Sequence, residues 1–194
     1  MSSRHHKSFL KQFVSQPNSV GAIAPSSTLL CQEIVNAIDW STAQAVVEYG
    51  PGTGVVTQQI LKSKRDETNF CAIELNTHFA EILKQRFTSV SIHVDSVANV
   101  KDVCEHEGIE QVDAVISGLP WASFKDEDQN EYLDAMMSVL KPGGHFVTFA
   151  YLQGLLLPAG KRFRRKLDHY FTDIGKSRII WRNLPPAFVY RCRR

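Results

Sequence analysis

Residues 50–54, Gly-Pro-Gly-Thr-Gly, carry a glycine pattern that could hold a nucleotide-like ligand. The β-branched run that ends at Glu48 and Tyr49 predicts a strand, and residues 55–61 predict a helix. Glycines let backbone N–H groups approach a ligand that any Cβ would block. A strand, a glycine turn and a helix in this order form the nucleotide-binding corner of α/β sheets. The alternative is an ordinary turn between a strand and a helix.

The charge beside this turn narrows the choice of ligand. Glu48 would attract a cofactor with an amine or sulfonium group, whereas its carboxylate would repel a pyrophosphate. No Gly-Lys-Ser/Thr follows the turn, so the stretch is not a P-loop. It also departs from the dinucleotide fingerprint, whose last glycine lies two residues further on.

Polar side chains follow the next two predicted strands at the point where each ends. Glu74 closes the strand 69–74, twenty residues after Gly54, and is placed to accept both ribose hydroxyls of a nucleoside. Asp95 and Ser96 follow the strand 90–94, where an adenine amino group could be hydrogen-bonded. These positions indicate a cofactor that contains a nucleoside.

Alternating strands and helices must position these residues. Apolar runs predict five strands, at 44–49, 69–74, 90–94, 112–117 and 145–150. Helices are predicted before and between them, at 28–38, 55–61, after Asn76, at 99–107 and at about 127–140. This order calls for a parallel sheet with right-handed crossovers. Residues 171–181 and 187–192 predict two further strands joined by a short turn, which implies an antiparallel pair.

Length and composition are those of one globular domain. No apolar run approaches the ~20 residues of a membrane span, and residues 1–30 lack a signal-peptide pattern. The four cysteines are widely scattered: Cys31, Cys71, Cys104 and Cys192. We expect buried thiols in a reducing cytoplasm, and neither disulfides nor a metal site.

The charge is distributed unevenly along the chain. The formal net charge of +2 divides into +3 over residues 1–27, −10 over residues 28–160 and +9 over residues 161–194. Both ends are basic and the middle is acidic. This pattern predicts one positive face for an anionic partner, either a nucleic acid or a lipid surface.

Residues 6–16 predict a short amphipathic helix that ends before Pro17. Its apolar positions recur at helical spacing: Phe9, Leu10, Phe13 and Val14. Basic residues flank them: Arg4, Lys7 and Lys11. Such helices lie in membrane interfaces. The alternative is a helix that packs on the core of its own domain.

Four stretches, 48–54, 72–76, 95–96 and 141–144, resemble the ordered motifs of class I S-adenosylmethionine-dependent methyltransferases. The resemblance implies an α/β, Rossmann-like, seven-stranded and mostly parallel sheet with a C-terminal antiparallel hairpin, here preceded by the N-terminal helix. It also implies S-adenosylmethionine as the cofactor. The contacts it assigns to that cofactor are Glu48, Tyr49, Gly50, Gly52, Glu74, Leu75, Asp95, Ser96 and Ser117.

Two subfamilies share the glycine pattern. Ribosomal-RNA adenine dimethyltransferases carry Asn-Leu-Pro-Tyr after the fourth strand, whereas residues 118–121 here are Gly-Leu-Pro-Trp. Their separate helical domain is also not expected in this chain. Bacterial phospholipid N-methyltransferases are similar over nearly the whole length, through the N-terminal helix, residues 20–27, residues 117–120 and residues 181–190.

The second resemblance implies N-methylation of phosphatidylethanolamine toward phosphatidylcholine. The expected enzyme is a monomeric single domain on the cytoplasmic face of the membrane. Within it, residues 1–17 would bind the membrane, residues 44–151 would form the cofactor-binding core, and residues 152–194 would form a basic region that faces substrate and membrane. Its partners would be the phospholipid and an anionic membrane surface, without nucleic acid.

The chemistry of this reaction and the resemblance together indicate the substrate contacts. Aromatic faces suit a methylated ammonium. Tyr151 follows the fifth predicted strand, and active sites of open α/β sheets lie at the carboxyl ends of the strands, so Tyr151 is the predicted catalytic residue. The other predicted substrate contacts are Trp121, Tyr190, Arg182 and Asn183, the last two for the lipid phosphate.

Two other functions remain open from the sequence. One is methylation of an RNA adenine or a small-molecule amine, with the basic C-terminal region facing nucleic acid. The other is a non-catalytic module that binds S-adenosylmethionine or a membrane surface.

Overall fold

The computed structural model describes residues 27–194, in which seven strands alternate with six helices. The strands are β1 (Ala45–Tyr49), β2 (Asn69–Ile73), β3 (Ser91–His93), β4 (Val112–Ser117), β5 (Leu140–Tyr151), β6 (Asp173–Lys176) and β7 (Ala187–Arg193). The helices are α1 (Thr28–Val35), α2 (Val55–Ser63), α3 (Thr77–Arg86), α4 (Val100–His106), α5 (Asp126–Val139) and α6 (Pro158–Tyr170). The predicted N-terminal amphipathic helix lies outside the described residues.

The strands form one sheet in the order β3-β2-β1-β4-β5-β7-β6. The first five strands pair in parallel, and β7 pairs antiparallel with both β5 and β6. This arrangement confirms the predicted Rossmann-like sheet and its antiparallel C-terminal hairpin. The carboxyl ends of β1, β2, β3 and β4 therefore meet at one edge of the sheet, which we call the carboxyl edge.

Alternate residues of β1 face opposite layers of helices. Val47 and Tyr49 belong to the core beneath α4, α5 and α6, whereas Val46 packs with α1 and α2. All five residues of β1 are buried, as expected for a parallel strand covered on both faces. None of the helices described over residues 27–194 has the length and apolar content needed to cross a bilayer.

The largest difference from the predicted elements is α6, which the sequence pattern did not indicate. Only Phe163 and Leu167 of this helix are buried, so its apolar periodicity is too sparse to recognise among charged residues. Pro158 occupies its first turn, where the missing N–H costs no hydrogen bond. The predicted strand 171–181 is shorter than expected, because only Asp173–Lys176 pairs with β7 as a strand.

Gly54 allows the start of α2 to lie close to the end of α3. It adopts φ +78°, and a Cβ there would lie 2.5 Å from Phe87 Cε2 and 2.7 Å from Leu83 Cδ2. We expect Gly54→Ala to lower the free energy of unfolding by about 2–4 kcal/mol, because a left-handed backbone and overpacking each destabilise. Urea denaturation measures this. The control is Gly154→Ala, whose Cβ would meet nothing within 4 Å; equal losses in both variants would contradict the prediction.

Candidate functional site

The glycine turn between β1 and α2 is fixed to the strands on both sides of it. The backbone N–H of Gly50 donates to the Ile73 carbonyl over 2.9 Å, and that of Gly118 donates to the Tyr49 carbonyl over 2.8 Å. Gly50, Gly52 and Gly54 all adopt positive φ. The turn therefore holds its backbone in a conformation that side chains disfavour, directly at the carboxyl edge.

Glu74 follows β2 and is held against the glycine turn. One carboxylate oxygen accepts from the Gly52 N–H over 3.0 Å, and the other accepts from the Asn76 N–H over 2.8 Å. The residue is only 5% exposed. Burial raises the pKa of the Glu74 carboxyl above its usual value, although the N–H groups of Asn76 and Gly52 oppose the shift. Each oxygen retains acceptor capacity for a ligand.

Five of the residues predicted to hold the cofactor line one cleft at the carboxyl edge. These five are Gly50, Glu74, Leu75, Asp95 and Ser96. The Asp95 carboxylate accepts from the Ser96 N–H over 2.7 Å and from Asn99 Nδ2 over 2.8 Å. The ends of β1, β2 and β3 thus bring together residues that are far apart in sequence.

The same cleft has an apolar lining that the sequence pattern did not assign to it. These residues are Ile73, Val97, Leu119, Phe124 and Tyr132. Tyr132 occupies an inward position of α5 and is buried. The helical pattern could not reveal that this region of the core borders an open cleft.

Glu48 lies on the other face of β1 from this apolar lining. Its carboxylate accepts from Thr57 Oγ1 in the first turn of α2 over 2.7 Å, and it is 1% exposed. The N-cap of α2 is Gly54, which supplies no side-chain hydrogen bond. The Glu48 carboxylate on β1 therefore supplies a hydrogen-bond acceptor to the first turn of α2. Burial, opposed by Thr57 and assisted by the charge of Glu74, raises the pKa of Glu48 to about 8.

This pKa predicts a pH-dependent stability. A carboxyl that ionises near 4.5 when unfolded and near 8 when folded binds a proton on folding between these values, so the stability falls as the pH rises through this window. Glu48→Gln removes this titration. We compare the melting temperature of Glu48→Gln with that of the wild type at each pH. We expect this difference to shift in favour of Glu48→Gln by at least ~2 °C from pH 5 to pH 8, which corresponds to about 1 kcal/mol. A difference that stays constant with pH would refute the assignment.

Two further predicted cofactor contacts, Tyr49 and Ser117, have buried side chains. The Tyr49 ring is 0% exposed and packs in the core near Cys71 and Cys104, so only its backbone reaches the turn. Ser117 is 1% exposed, and its hydroxyl accepts from Trp121 Nε1 over 2.9 Å. Both side chains lie within the core, so a contact with the cofactor would have to come from the backbone, and the cofactor roles of both residues stay predictions.

Two aromatic residues that are predicted to contact the substrate, Trp121 and Tyr190, are almost fully buried. Each is 2% exposed. The Trp121 ring stacks on Phe163 of α6 at 5.4 Å, and the Tyr190 ring meets Phe188 edge-on at 4.8 Å. Both rings therefore belong to the core beneath α6, and their contacts with a substrate stay predictions.

Asn183 makes structural hydrogen bonds, and its contact with the substrate stays a prediction. Its side-chain oxygen accepts from the Ser27 N–H over 2.9 Å, and its amide donates to the Pro185 carbonyl over 2.7 Å. It is 4% exposed. Asn183 thus ties the start of α1 to the segment that joins β6 and β7. Its neighbour Arg182 is exposed, and the role of Arg182 in binding a lipid phosphate stays a prediction.

Tyr151 ends β5 and extends beyond the carboxyl edge. Thr148 pairs with Ser117, the last residue of β4, so Tyr151 lies three residues, or roughly 10 Å, further along. The ring is half-buried and meets Phe149 edge-on at 5.7 Å. Burial raises the pKa of Tyr151 to about 12. The phenol is therefore neutral at physiological pH and cannot act as a base, and its catalytic role stays a prediction.

The chemical groups that line the cleft fit S-adenosylmethionine. Glu74 offers two acceptor oxygens for ribose hydroxyls, Asp95 and Ser96 offer polar atoms for an adenine edge, and the apolar lining suits the flat base. A Cβ at Gly50 would lie 2.5 Å from Leu119 Cδ2, so a side chain at this position would collide with the lining of the cleft.

Comparisons with known proteins agree with this geometry. Residues 46–144 match the family model described as a methyltransferase domain. Over 188 residues the chain is 32% identical to the ornithine lipid N-methyltransferase of Singulisphaera acidiphila, and the match covers 95% of this chain and 94% of that relative.

Two solved structures share the fold. N-methyltransferase NodS from Bradyrhizobium japonicum WM9 has a TM-score of 0.64 at 14% identity, over 84% of this chain and 93% of its own. The O-methyltransferase TomG from Streptomyces achromogenes, in complex with S-adenosylmethionine, has a TM-score of 0.67 at 16% identity, over 100% of this chain and 90% of its own. The chain therefore belongs to the class I S-adenosylmethionine-dependent methyltransferases, and S-adenosylmethionine is its cofactor.

Proposed function

We propose that this enzyme methylates the primary amine of a membrane amino lipid. The observation that carries the proposal is the 32% identity, over nearly the whole length of both chains, with an ornithine lipid N-methyltransferase. Ornithine and ethanolamine headgroups both present a primary amine. Ornithine lipid is therefore the first substrate to test, and phosphatidylethanolamine, which the sequence motifs favour, is the second.

The turn after β4 supports a lipid amine over an RNA adenine. A Cβ at Gly118 would lie 2.7 Å from the Gly50 carbonyl oxygen, so this position has no room for a side chain. Ribosomal-RNA adenine dimethyltransferases carry their asparagine at the matching position. The close contact between the two turns thus leaves no room for the asparagine side chain that would accept a hydrogen bond from an adenine amine.

The chain's own residues would hold the two reactants at the carboxyl edge. Bound S-adenosylmethionine would supply a sulfonium-bound methyl group. The amine, after releasing its ammonium proton to solvent, would form the new N–C bond as the C–S bond breaks with its electron pair on sulfur. A primary alkylamine has a pKa near 10, like lysine, so it must lose that proton before the attack. Glu74 and the glycine turn would hold the cofactor in place. Such positioning of the reactants is the main way in which they would accelerate the reaction.

Tyr151 would meet the headgroup from beyond the carboxyl edge. Its neutral ring offers a face to the methylated ammonium, and its hydroxyl can accept a hydrogen bond from the amine. Arg182, in the exposed segment that precedes β7, would pair with the phosphate or carboxylate of the headgroup. In this proposal a monomeric single domain, residues 1–194, works on the cytoplasmic face of an anionic membrane, with residues 1–17 as a membrane-binding helix.

Transfer of radiolabel from methyl-labelled S-adenosylmethionine tests the function. The full chain is incubated with vesicles that contain ornithine lipid, with vesicles that contain phosphatidylethanolamine, and with RNA. We expect label in the extracted amino lipid of at least one vesicle preparation, and mass spectrometry will count the methyl groups. Label in RNA alone, or in neither lipid, would refute the proposal.

A further inference from the structure

We propose that the two segments flanking the junction of β5 and β7, together with α6, form a docking surface for an anionic bilayer, separate from residues 1–17. The docking surface consists of four exposed apolar residues (Leu156, Leu157, Trp181 and Leu184) and a basic depression on α6. This proposal rests on the proposed function and deepens it by naming the surface that contacts the membrane. Its test does not depend on methylation.

The apolar residues of the docking surface are unusually exposed for large side chains. Leu156 is 79% exposed, Leu184 76%, Trp181 68% and Leu157 56%. Single exposed apolar residues are common on protein surfaces, whereas a group of large ones marks an interaction site. Aromatic residues such as Trp181 also favour the interface between water and lipid.

These residues come from two segments that leave the sheet at the same place. Tyr151 of β5 pairs with Ala187 of β7, and the Leu152 N–H donates to the Pro186 carbonyl over 2.8 Å. Leu156 and Leu157 follow this junction, and Trp181 and Leu184 precede it. Both pairs therefore lie beyond the carboxyl end of β5, which is the edge of the sheet that carries the cofactor cleft.

The basic depression lies between α6 and the end of β6. It is lined by Leu155, Gly160, Lys161, Arg164, Arg165 and Lys176. Four of these six lining residues are cations, and none is a carboxylate. The Lys176 ammonium lies 5.7 Å from the Tyr190 ring centroid and 5.8 Å from that of Phe188, so β7 holds it in place.

The cations of α6 divide into two groups with different roles. Lys166 is 11% exposed in its side chain and donates to Asp126 and Asn130 of α5 over 2.7 Å each, which fixes the helix. Lys161 and Arg165 line the depression. Arg164 also pairs with Asp168. The helix is therefore anchored by one cation while others stay available to an anion.

The combination of charge and apolar exposure favours a bilayer over a nucleic acid. Anionic headgroups attract clustered lysine and arginine, and the acyl region beneath them receives leucine and tryptophan side chains. A nucleic acid would use the cations, but it offers no apolar layer for leucines that are 56–79% exposed. Bilayer contact here would also place Tyr151 and the cofactor cleft toward the lipid surface.

Vesicle flotation with the full chain tests the docking surface. The vesicles contain phosphatidylglycerol and phosphatidylcholine, without amino lipid or S-adenosylmethionine. One variant reverses charge (Lys161→Glu with Arg165→Glu), and a second removes apolar contacts (Leu156→Ser with Leu184→Ser). We expect each to weaken vesicle binding at least tenfold, and the wild type to bind more weakly as the salt concentration rises.

The control reverses charge at the opposite edge of the sheet, with Lys62→Glu and Lys84→Glu. Both lysines are exposed in the last turns of α2 and α3, which lie at that edge because crossover helices run back along the sheet. We expect the control to bind within twofold of the wild type, and unchanged cofactor affinity to show that all variants are folded. Undiminished vesicle binding in both test variants would overturn the proposal, as would Lys161- and Arg165-dependent binding to RNA without binding to vesicles.

Discussion

Replacing Glu74 with alanine will weaken S-adenosylmethionine binding at least tenfold. Glu74 is 5% exposed at the end of β2, where its two oxygens accept from Gly52 and Asn76 and border the cofactor cleft. Charge-assisted hydrogen bonds from ribose hydroxyls would each contribute ~1.5–3 kcal/mol. A tenfold loss corresponds to about 1.4 kcal/mol, so the loss of either bond suffices. Isothermal titration calorimetry measures the affinity.

The matched control is Glu81→Ala in α3, which removes the same charge away from the residues that line the cleft. A second variant, Glu74→Gln, keeps an acceptor for the Gly52 N–H. It therefore distinguishes an effect of the lost hydrogen bond to the glycine turn from an effect of the lost contact with the ribose. Affinity should fall in both Glu74 variants and stay within twofold in the control. Unchanged affinity in Glu74→Ala would remove this residue from the cofactor site.

The glycine turn and the strand ends were predictable because each depends on local sequence. Short apolar runs ending in Glu48, Glu74 and Asp95 predict parallel strands, and parallel strands place their carboxyl ends at one edge. Glu74 and Asp95 consequently line one cleft. The antiparallel C-terminal pair was predictable in the same way, from two apolar runs separated by a short turn.

The orientation of aromatic side chains was not predictable, because it depends on which helix covers which face. Trp121 directly follows the turn after β4, as a substrate contact would, but α6 places Phe163 on its ring and buries it. Tyr132 has the spacing of a core residue and still borders the cleft. Glu48 also lies near the end of a predicted strand. Its side chain, however, points to the α2 face of the sheet and accepts a hydrogen bond from Thr57.

Replacing Tyr151 with alanine will lower the rate of methylation by about two orders of magnitude and leave cofactor affinity within threefold. Tyr151 lies beyond the carboxyl edge and does not line the cofactor cleft, so its loss should affect the lipid amine and not the cofactor. A desolvated cation–π contact contributes ~2 kcal/mol or more, and each 1.36 kcal/mol in the barrier is a factor of ten. Lost positioning of the headgroup accounts for the remainder.

Tyr151→Phe separates the ring from its hydroxyl. Because the pKa of Tyr151 is raised to about 12, the hydroxyl is protonated and the ring should supply most of the effect. Tyr151→Phe should therefore retain at least a tenth of the wild-type rate. Tyr170 is the matched control, since its pKa is also raised to about 12 but it bonds to Asp134 across α5 and α6. Tyr170→Ala should keep near wild-type turnover per folded molecule. If Tyr151→Ala also keeps that turnover, Tyr151 is only a packing partner of Phe149, and the residue that meets the lipid amine lies elsewhere at the carboxyl edge.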